Sequence, residues 1–407
     1  MNRSSPRAYI EELRLSGFRA FENARLRLDD GLTVLVGHNG SGKSTLLDAL
    51  EFVRDALSDS MENALDRRGG FQALLHRNTR NSDLSIVVKL RLPAGPRPHR
   101  SVFDPFEVPF VESGTVFREL RASYGFRLVP KRSGPGFAVQ DEFAWVEDQQ
   151  LPTWNLRVMN VPRSTLVLPL LSDVTTAYRA LLVALRSGIR VYNLSPAAIR
   201  SEPPVGRASI LSRSGDNAGD VLHHLQRNRK ELDWLIRHLS AITPDIVSIK
   251  ARTAAGRRII QFTQHGANGS KSQFNIGDMS DGTLRGMAVL LSLRQTPTPA
   301  LTCIEEIEDS VHPAALGVLL DAISASTERS QILLSSHSPE ALSHPVVTPE
   351  RVRVIEWHTG RSQIFLPSQG AHEMSKPPRS VGALLRTNAL FPAKKPERIE
   401  GDIFANP

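Results

Sequence analysis

Apolar positions recur along this chain with two periods, and its elements lie where one period yields to the other. Residues 9–15 alternate apolar and polar side chains, and so do 24–28, with Gly17 and the Phe18-Arg19-Ala20-Phe21 stretch between them. Such alternation buries one face of a strand, so the pair reads as a hairpin. Asp29, Asp30 and Gly31 then turn the chain into Leu32–Val36, an apolar run of buried-strand type. Beyond it Leu46, Leu50, Val53 and Leu57 recur at helical spacing. Residues 85–92 read as a strand, and 116–129 and 137–146 as a strand-rich extension.

The helical period returns across 166–185, with Ala177, Leu181, Leu182 and Leu185 on one stripe. It resumes at Asn217 and runs through Val221, Leu222 and Leu225, then Leu232, Leu235, Ile236 and Leu239, until Pro244 stops it. Residues 247–250 and 258–263 pair across Ala255-Gly256 as a hairpin. Residues 300–304 and 331–334 are apolar strands flanking a helix that opens at Pro313 and carries Leu316, Leu319, Leu320 and Ile323. The proline-bearing stretch 93–109 reads as a connector, 200–204 as a loop, and 381–390 as a helix. The Pro/Lys-rich 375–378 and the residues after Pro392 have the composition of a disordered tail. There is no internal repeat and no heptad array, so no long coiled coil is expected. The predicted class is α/β, a mixed sheet flanked by helices.

Between the run Leu32–Val36 and the first helix lies Gly37, His38, Asn39, Gly40, Ser41, Gly42, Lys43, Ser44 and Thr45, which satisfies the phosphate-loop pattern. Its glycines let backbone N–H groups curl inward on an anion, and the helix N-terminus adds partial positive charge. Lys43 can reach the β- and γ-phosphates of ATP, and the Ser44 hydroxyl can ligate Mg²⁺. The strand 300–304 runs into Glu305 and Glu306. Carboxylates at the C-terminal end of a parallel strand face the ligand crevice of open α/β sheets. Glu305 is the expected metal acid, and Glu306 the base that orients and deprotonates the attacking water. His337, after the strand 331–334, can contact the γ-phosphate. Ser280, Asp281 and Gly282 open another helix and form a second anion-binding start. Gln72, after the first helix, is a candidate to watch the metal or the water. Arg19, on the first turn, either approaches the nucleotide or is solvated. Cys303 reads as a small buried hydrophobe.

Composition narrows the setting. The 407 residues carry 40% hydrophobic and 6% aromatic side chains, with one cysteine and a formal net charge of +8. One cysteine forms no intrachain disulfide. No apolar run reaches the length of a membrane span, and the N-terminus lacks signal-peptide shape. The expected location is the cytoplasm, with no membrane partner. Residues 186–271 hold 14 Lys/Arg against 6 Asp/Glu. That excess is either a nucleic-acid surface, for DNA or RNA, or a solubilising face.

Taken together, these motifs resemble the ABC-type ATPases of the RecF, structural-maintenance-of-chromosomes and OLD group. The resemblance covers residues 9–57 and 275–342 and implies a P-loop NTPase of ABC-ATPase-head type. It also implies a helical and strand-bearing insertion, or lid, between two lobes: 1–92, 93–270, 271–370, and a tail at 371–407. Phe18, Arg19 and Phe21 match the family's Phe-Arg-x-Phe stretch, and residues 37–45 its Walker A loop. Ser280, Asp281 and Gly282 match the signature, Glu305 and Glu306 the Walker B acid and catalytic Glu, and His337 the switch histidine. Glu308 with His312-Pro313 looks like the D-loop. Two positions depart: Glu305 stands where the family usually has Asp, and Ile307 where it usually has Pro. The resemblance implies that two copies sandwich ATP and Mg²⁺ head to tail, in a homodimer or higher oligomer. The compact form is similar to ATPases that accompany bacterial anti-phage effectors, which implies a role in defence or DNA repair and a partner nuclease encoded nearby. The alternatives are the ATPase subunit of a transporter and a scaffold that binds ATP without turnover.

Overall fold

In the computed structural model, which describes residues 7–77, 82–94, 118–131, 134–147, 153–266, 269–367, 380–387, 390 and 403, the chain forms two six-stranded sheets and a three-stranded one. The first is antiparallel throughout, in the order β2-β1-β4-β5-β6-β7. It comprises β1 (Tyr9–Phe18), β2 (Phe21–Arg27), β4 (Leu84–Ala94), β5 (Arg118–Pro130), β6 (Phe137–Glu147) and β7 (Trp154–Val158).

The second sheet has the order β15-β14-β3-β13-β12-β8. Its strands are β3 (Leu32–Val36), β8 (Ile189–Tyr192), β12 (Leu301–Ile304), β13 (Gln331–Ser336), β14 (Val352–His358) and β15 (Arg361–Phe365). All pair in parallel except the edge strand β15. Parallel strands are covered on both faces, and β3, β12 and β13 are buried along their whole length. In β3 the side chains alternate between two cores: Leu35 joins the one shared with the antiparallel sheet, and Val34 and Val36 the other.

Helix α1 (Lys43–Ser58) follows β3 and packs Leu46, Leu50 and Val53 into the first core. The second core gathers α7 (Ala218–Leu225), α8 (Arg229–Ile242), α9 (Asp281–Arg294) and α10 (Pro313–Ser326). Within α9 every residue from Thr283 to Arg294 is buried, so it is the central helix of that half. The third sheet is the meander β9 (Ile246–Ala254), β10 (Arg257–His265) and β11 (Lys271–Asn275), which leads into α9 through a turn at Ile276–Asp278.

Several elements depart from the sequence pattern. The stripe at 166–185 is two helices, Leu168–Leu171 and Thr176–Arg186, because Thr175 caps a new start by accepting from Tyr178 N. Strands β7, β8, β14 and β15 carry no expectation above. The 93–270 stretch supplies strands to all three sheets, so it is built into the head. The helix expected at 381–390 is described as Val381–Arg386. The first two residues of the connector at 93–109 end β4, and its remainder, 375–378 and nearly all residues after Pro392 lie outside the described residues. Among the described residues no helix is long and apolar enough to cross a membrane.

Buried side chains help tie the two large sheets together, among them Arg353, which donates to Arg27 O at 2.9 Å, and Gln331. Gln331, at the start of β13, accepts from Ile10 N at 2.9 Å and donates to Ile10 O and Asp29 O, both at 2.8 Å. It reaches β1 where the β1–β4 register slips between Ile10 and Glu12. Gln331→Leu strands one buried donor and two acceptors, so urea unfolding should show a loss of roughly 2–4 kcal/mol.

Candidate nucleotide-binding site

The phosphate loop bridges β3 and α1 as the sequence requires. Gly42 stands at φ +109°, and a Cβ there would come within 2.7 Å of Ser362 Oγ. A Cβ on Gly37 would lie 2.2 Å from Ile355 O and 2.6 Å from Ser41 Oγ. The loop therefore owes its curvature to glycine and to the β14–β15 hairpin behind it, where Ser362 Oγ donates to Ser41 O at 2.6 Å. Lys43 is buried, and its Nζ donates to Gly37 O at 2.7 Å and His38 O at 3.0 Å. Burial pulls its pKa below the ordinary lysine range, while Glu306 and Glu308 push it back up. Those acids thus lie within electrostatic reach of the loop lysine. His38, Asn39, Gly40 and Ser44 are exposed at the loop and helix start, Thr45 half-buried. Glu356, Trp357 and His358 wall an adjoining cleft of about 630 Å³ with His38, Asn39, Gly40 and Ser41.

Glu305 and Glu306 sit at the C-terminal end of β12. Glu305 is buried, and burial raises its pKa, against the pull of Arg213 and of a hydrogen bond from Ser44. Glu306 is half-buried and takes φ +45°, a left-handed conformation that non-glycine residues rarely adopt. Two neighbours hold it there. Ser335 Oγ accepts from Glu306 N at 3.0 Å, and Arg285 donates to Glu306 O at 2.6 Å. Arg285 is 1% exposed on α9. It also donates to Glu305 O at 2.9 Å and to Leu194 O, and pairs with Asp309 at 3.2 Å. One guanidinium thus fixes the backbone of both acids.

Glu308 Oε1 accepts from His337 N at 2.7 Å and Ser338 N at 3.1 Å, and lies 3.1 Å from His337 Nδ1. The expected switch histidine is thereby anchored to the turn that follows Glu306. On the far side of that turn, Ser280 caps α9 by accepting from Thr283 N at 3.2 Å, and Gly282 packs against Ser310 O. Arg200 pairs with Asp281 at 2.6 Å and donates to Met279 O at 2.7 Å. Ser280 and Asp281 are exposed.

Two candidates stand elsewhere. Arg19, at φ +45°, pairs with Asp48 of α1 at 2.7 Å, so it is neither freely solvated nor placed at the loop by any bond described. Gln72 is exposed on the short helix Phe71–Leu74, with no hydrogen bond to Ser44, Glu305 or Glu306 among the described residues. The partners of the metal acid are Ser44 and Arg213 instead. Sequence reasoning missed Arg200, Arg213 and Arg285. Only Arg285 had a local signal, an arginine one turn into an otherwise apolar helix. Cys303 is buried within β12, as its surroundings in sequence required, and burial drives its thiol far above the ordinary range.

The donor set fits a magnesium-bound nucleoside triphosphate. A Cβ on Gly37 or Gly42 would strike the β14–β15 hairpin that backs the loop, and the buried Ser41 Oγ has no hydrogen-bond partner. Loop N–H groups and Lys43 would hold the phosphates, and Ser44 and Glu305 the Mg²⁺, which supplies charge neutralisation when bound. With such a nucleotide bound, Glu306 on its braced turn would be the group to orient a water and take its proton.

Comparison with known proteins agrees with this geometry. Residues 160–343 match the family described as "AAA domain, putative AbiEii toxin, Type IV TA system", and residues 12–89 match one described as "AAA domain". The DNA replication and repair protein RecF of Paenarthrobacter aurescens (strain TC1) is 36% identical over 89 residues, 21% of this chain and 22% of that protein. The chromosome partition protein Smc of Methanococcus voltae is 37% identical over 79 residues, 19% of this chain and 6% of that protein. The aligned stretch thus spans about a fifth of the RecF chain and less of Smc. Among solved structures, the SmcHead bound to the C-winged helix domain of ScpA superposes with TM-score 0.54 at 16% identity, covering 89% of this chain and 99% of that one. The Smc head domain with an extended coiled coil bound to the C-terminal domain of ScpA, derived from Pyrococcus furiosus, gives 0.51 at 15% identity, covering 88% and 96%. The fold is that of an ABC-type ATPase head. If Arg285 positions the acids, Arg285→Lys should lower ATP turnover by about 10²-fold, the order expected when reacting groups are misplaced. Affinity for a fluorescent ATP analogue should change little, and steady-state kinetics beside equilibrium binding will separate the two.

Proposed function

We propose that this chain, an ABC-type ATPase of the RecF- and SMC-like group, is a nucleotide-gated switch that binds Mg·ATP, closes on a second copy and hydrolyses the γ-phosphate to reopen. The observation that carries this reading is the meeting of three segments at one sheet edge. The phosphate-loop lysine, the paired acids after β12 and the histidine after β13 all lie there. In this reading Glu306 is the base, Glu305 and Ser44 hold Mg²⁺, and His337 reads the γ-phosphate. Exposed Ser280 and its neighbour Gly282 supply the missing side of the phosphate from the second copy. The homo-oligomer is therefore an ATP-sandwiched dimer or a multiple of it.

Nucleic acid is the proposed ligand of the closed state. The solvent face of the third sheet carries Lys250 and Arg252 on β9, Arg257 and His265 on β10, and Lys271 on β11. Between them lie Gln261, Thr263, Gln273 and Asn275, and no carboxylate shares that face. Such a face attracts phosphate backbones, and it joins the signature turn through Ile276–Asp278. The RecF and Smc relatives carry names of DNA replication, repair and chromosome partition, which supports this choice. The setting proposed is anti-phage defence or DNA repair, with an effector nuclease encoded nearby as partner; one matched family is described as a putative toxin of a type IV toxin-antitoxin system.

Glu306→Gln should abolish phosphate release yet trap dimers with ATP in size-exclusion chromatography with light scattering; unchanged phosphate release in that variant refutes the assigned base. For nucleic acid, log K against log salt should fall steeply. Replacing Lys250, Arg252 and Lys271 together by Glu should reduce that slope by about 2–3. A slope equal to wild type would remove the third sheet from the interface.

A further inference from the structure

Arg213 joins the two halves of the metal site in a way that the nucleotide reading leaves unused. Its Nη2 lies 2.8 Å from Glu305 Oε1, and its Nη1 pairs with Glu51 Oε2 on α1. The two acids are each 6% exposed in their side chains, whereas that of Arg213 is 41% exposed. Glu305 also takes a hydrogen bond from Ser44, the other expected metal ligand. The backbone around Arg213 is held firmly. Asn193 N donates to Arg213 O at 2.9 Å, and Ser195 N to Ser214 O at 3.0 Å. Asn217 braces the same turn by accepting from Ser212 N and donating to Ile210 O. The side chain is thus a swinging arm on a fixed base.

We propose that Arg213 is a displaceable counter-ion of the metal site. It neutralises Glu305 and Glu51, and a divalent cation settling on Ser44 and Glu305 drives the guanidinium off Glu305 toward solvent. The proposal rests on the Mg·nucleotide reading of the site. Two cations on one enclosed carboxylate repel strongly, because little water lies between them to screen the charge. Of the charged groups in contact, Arg213 is the most exposed, so it is the one that leaves. Among the described residues no group of three or more His, Cys, Asp or Glu side chains forms a ready-made metal site. Metal binding at one or two carboxylates gains its remaining ligands from substrate phosphates. The arginine then raises the threshold for metal alone, so that metal and nucleotide enter together.

The test is a Mn²⁺ titration of the nucleotide-free protein, followed by electron paramagnetic resonance. In Arg213→Gln Glu305 loses its paired cation, while Glu51 keeps Arg54 at 3.1 Å, and Mn²⁺ should bind about tenfold or more tighter than in wild type, a change of the size that neighbours of metal ligands produce. A smaller gain, or weaker binding, overturns the proposal. If that variant does not fold, Arg213→Lys decides, since one ammonium cannot span both acids as a fork does. A gain of about threefold or more supports the counter-ion and a smaller one overturns it, on the same scale of outer-shell effects. Because the titration contains no nucleotide, binding of a fluorescent ATP analogue to wild type is a separate check. No analogue binding beside a gain in Mn²⁺ affinity would sink the nucleotide reading and leave the counter-ion standing.

Discussion

The site depends on a charge that has no water around it. Arg285 is almost fully enclosed in α9, where burial lowers the pKa of its guanidinium, with Asp309, Glu306, Glu308 and Glu305 acting against that. An unpaired cation there would destabilise the fold by several kcal/mol. It is tolerated because its Nη groups donate to Leu194 O, Glu305 O and Glu306 O and pair with Asp309, although its Nε finds no partner among the described residues. Those carbonyls belong to the segment after β8 and to the paired acids. The need to satisfy one cation therefore locks three separate pieces of chain into register. The left-handed backbone of Glu306 persists within this lock.

The helix carrying Arg285 begins at the signature turn, so the same lock has a second end. Ser280 caps α9, and Gly282 rests on Ser310, which itself takes a left-handed φ of +58°. The turn at Ser280–Gly282 and the turn after Glu306 are therefore one packed unit. A second copy pressing on Ser280 would bear on Glu306 through rigid contacts.

The parts of this design that could be read from sequence are those whose chemistry is local. The phosphate loop and α1, the strand ending in Glu305 and Glu306, and the helix start at Pro313 depend on neighbours a few residues away. Strand β8 was illegible because Ile-Arg-Val-Tyr is too short to show a period, and its strand state comes from pairing with β12, over a hundred residues later. The β14–β15 hairpin did carry a signal in Gly360, which suits the tight turn that Thr359 and Gly360 make with positive φ. Gln72 was attractive for its place after the first helix, yet it is exposed there while its neighbours Phe71 and Leu74 are buried. Arg200 and Arg213 lay in a stretch without period, and only tertiary contacts give them meaning.

Those two arginines share one short scaffold. The residues after β8 pair their backbone with Arg213 and Ser214, and Arg200 follows directly behind the same paired stretch. One arm grips the acid at the end of β12, and the other grips Met279 O and Asp281 where α9 begins. Like a bracket bolted at both ends, this segment cannot tilt at one anchor without straining the other, so the geometry of each anchor limits the positions open to its counterpart.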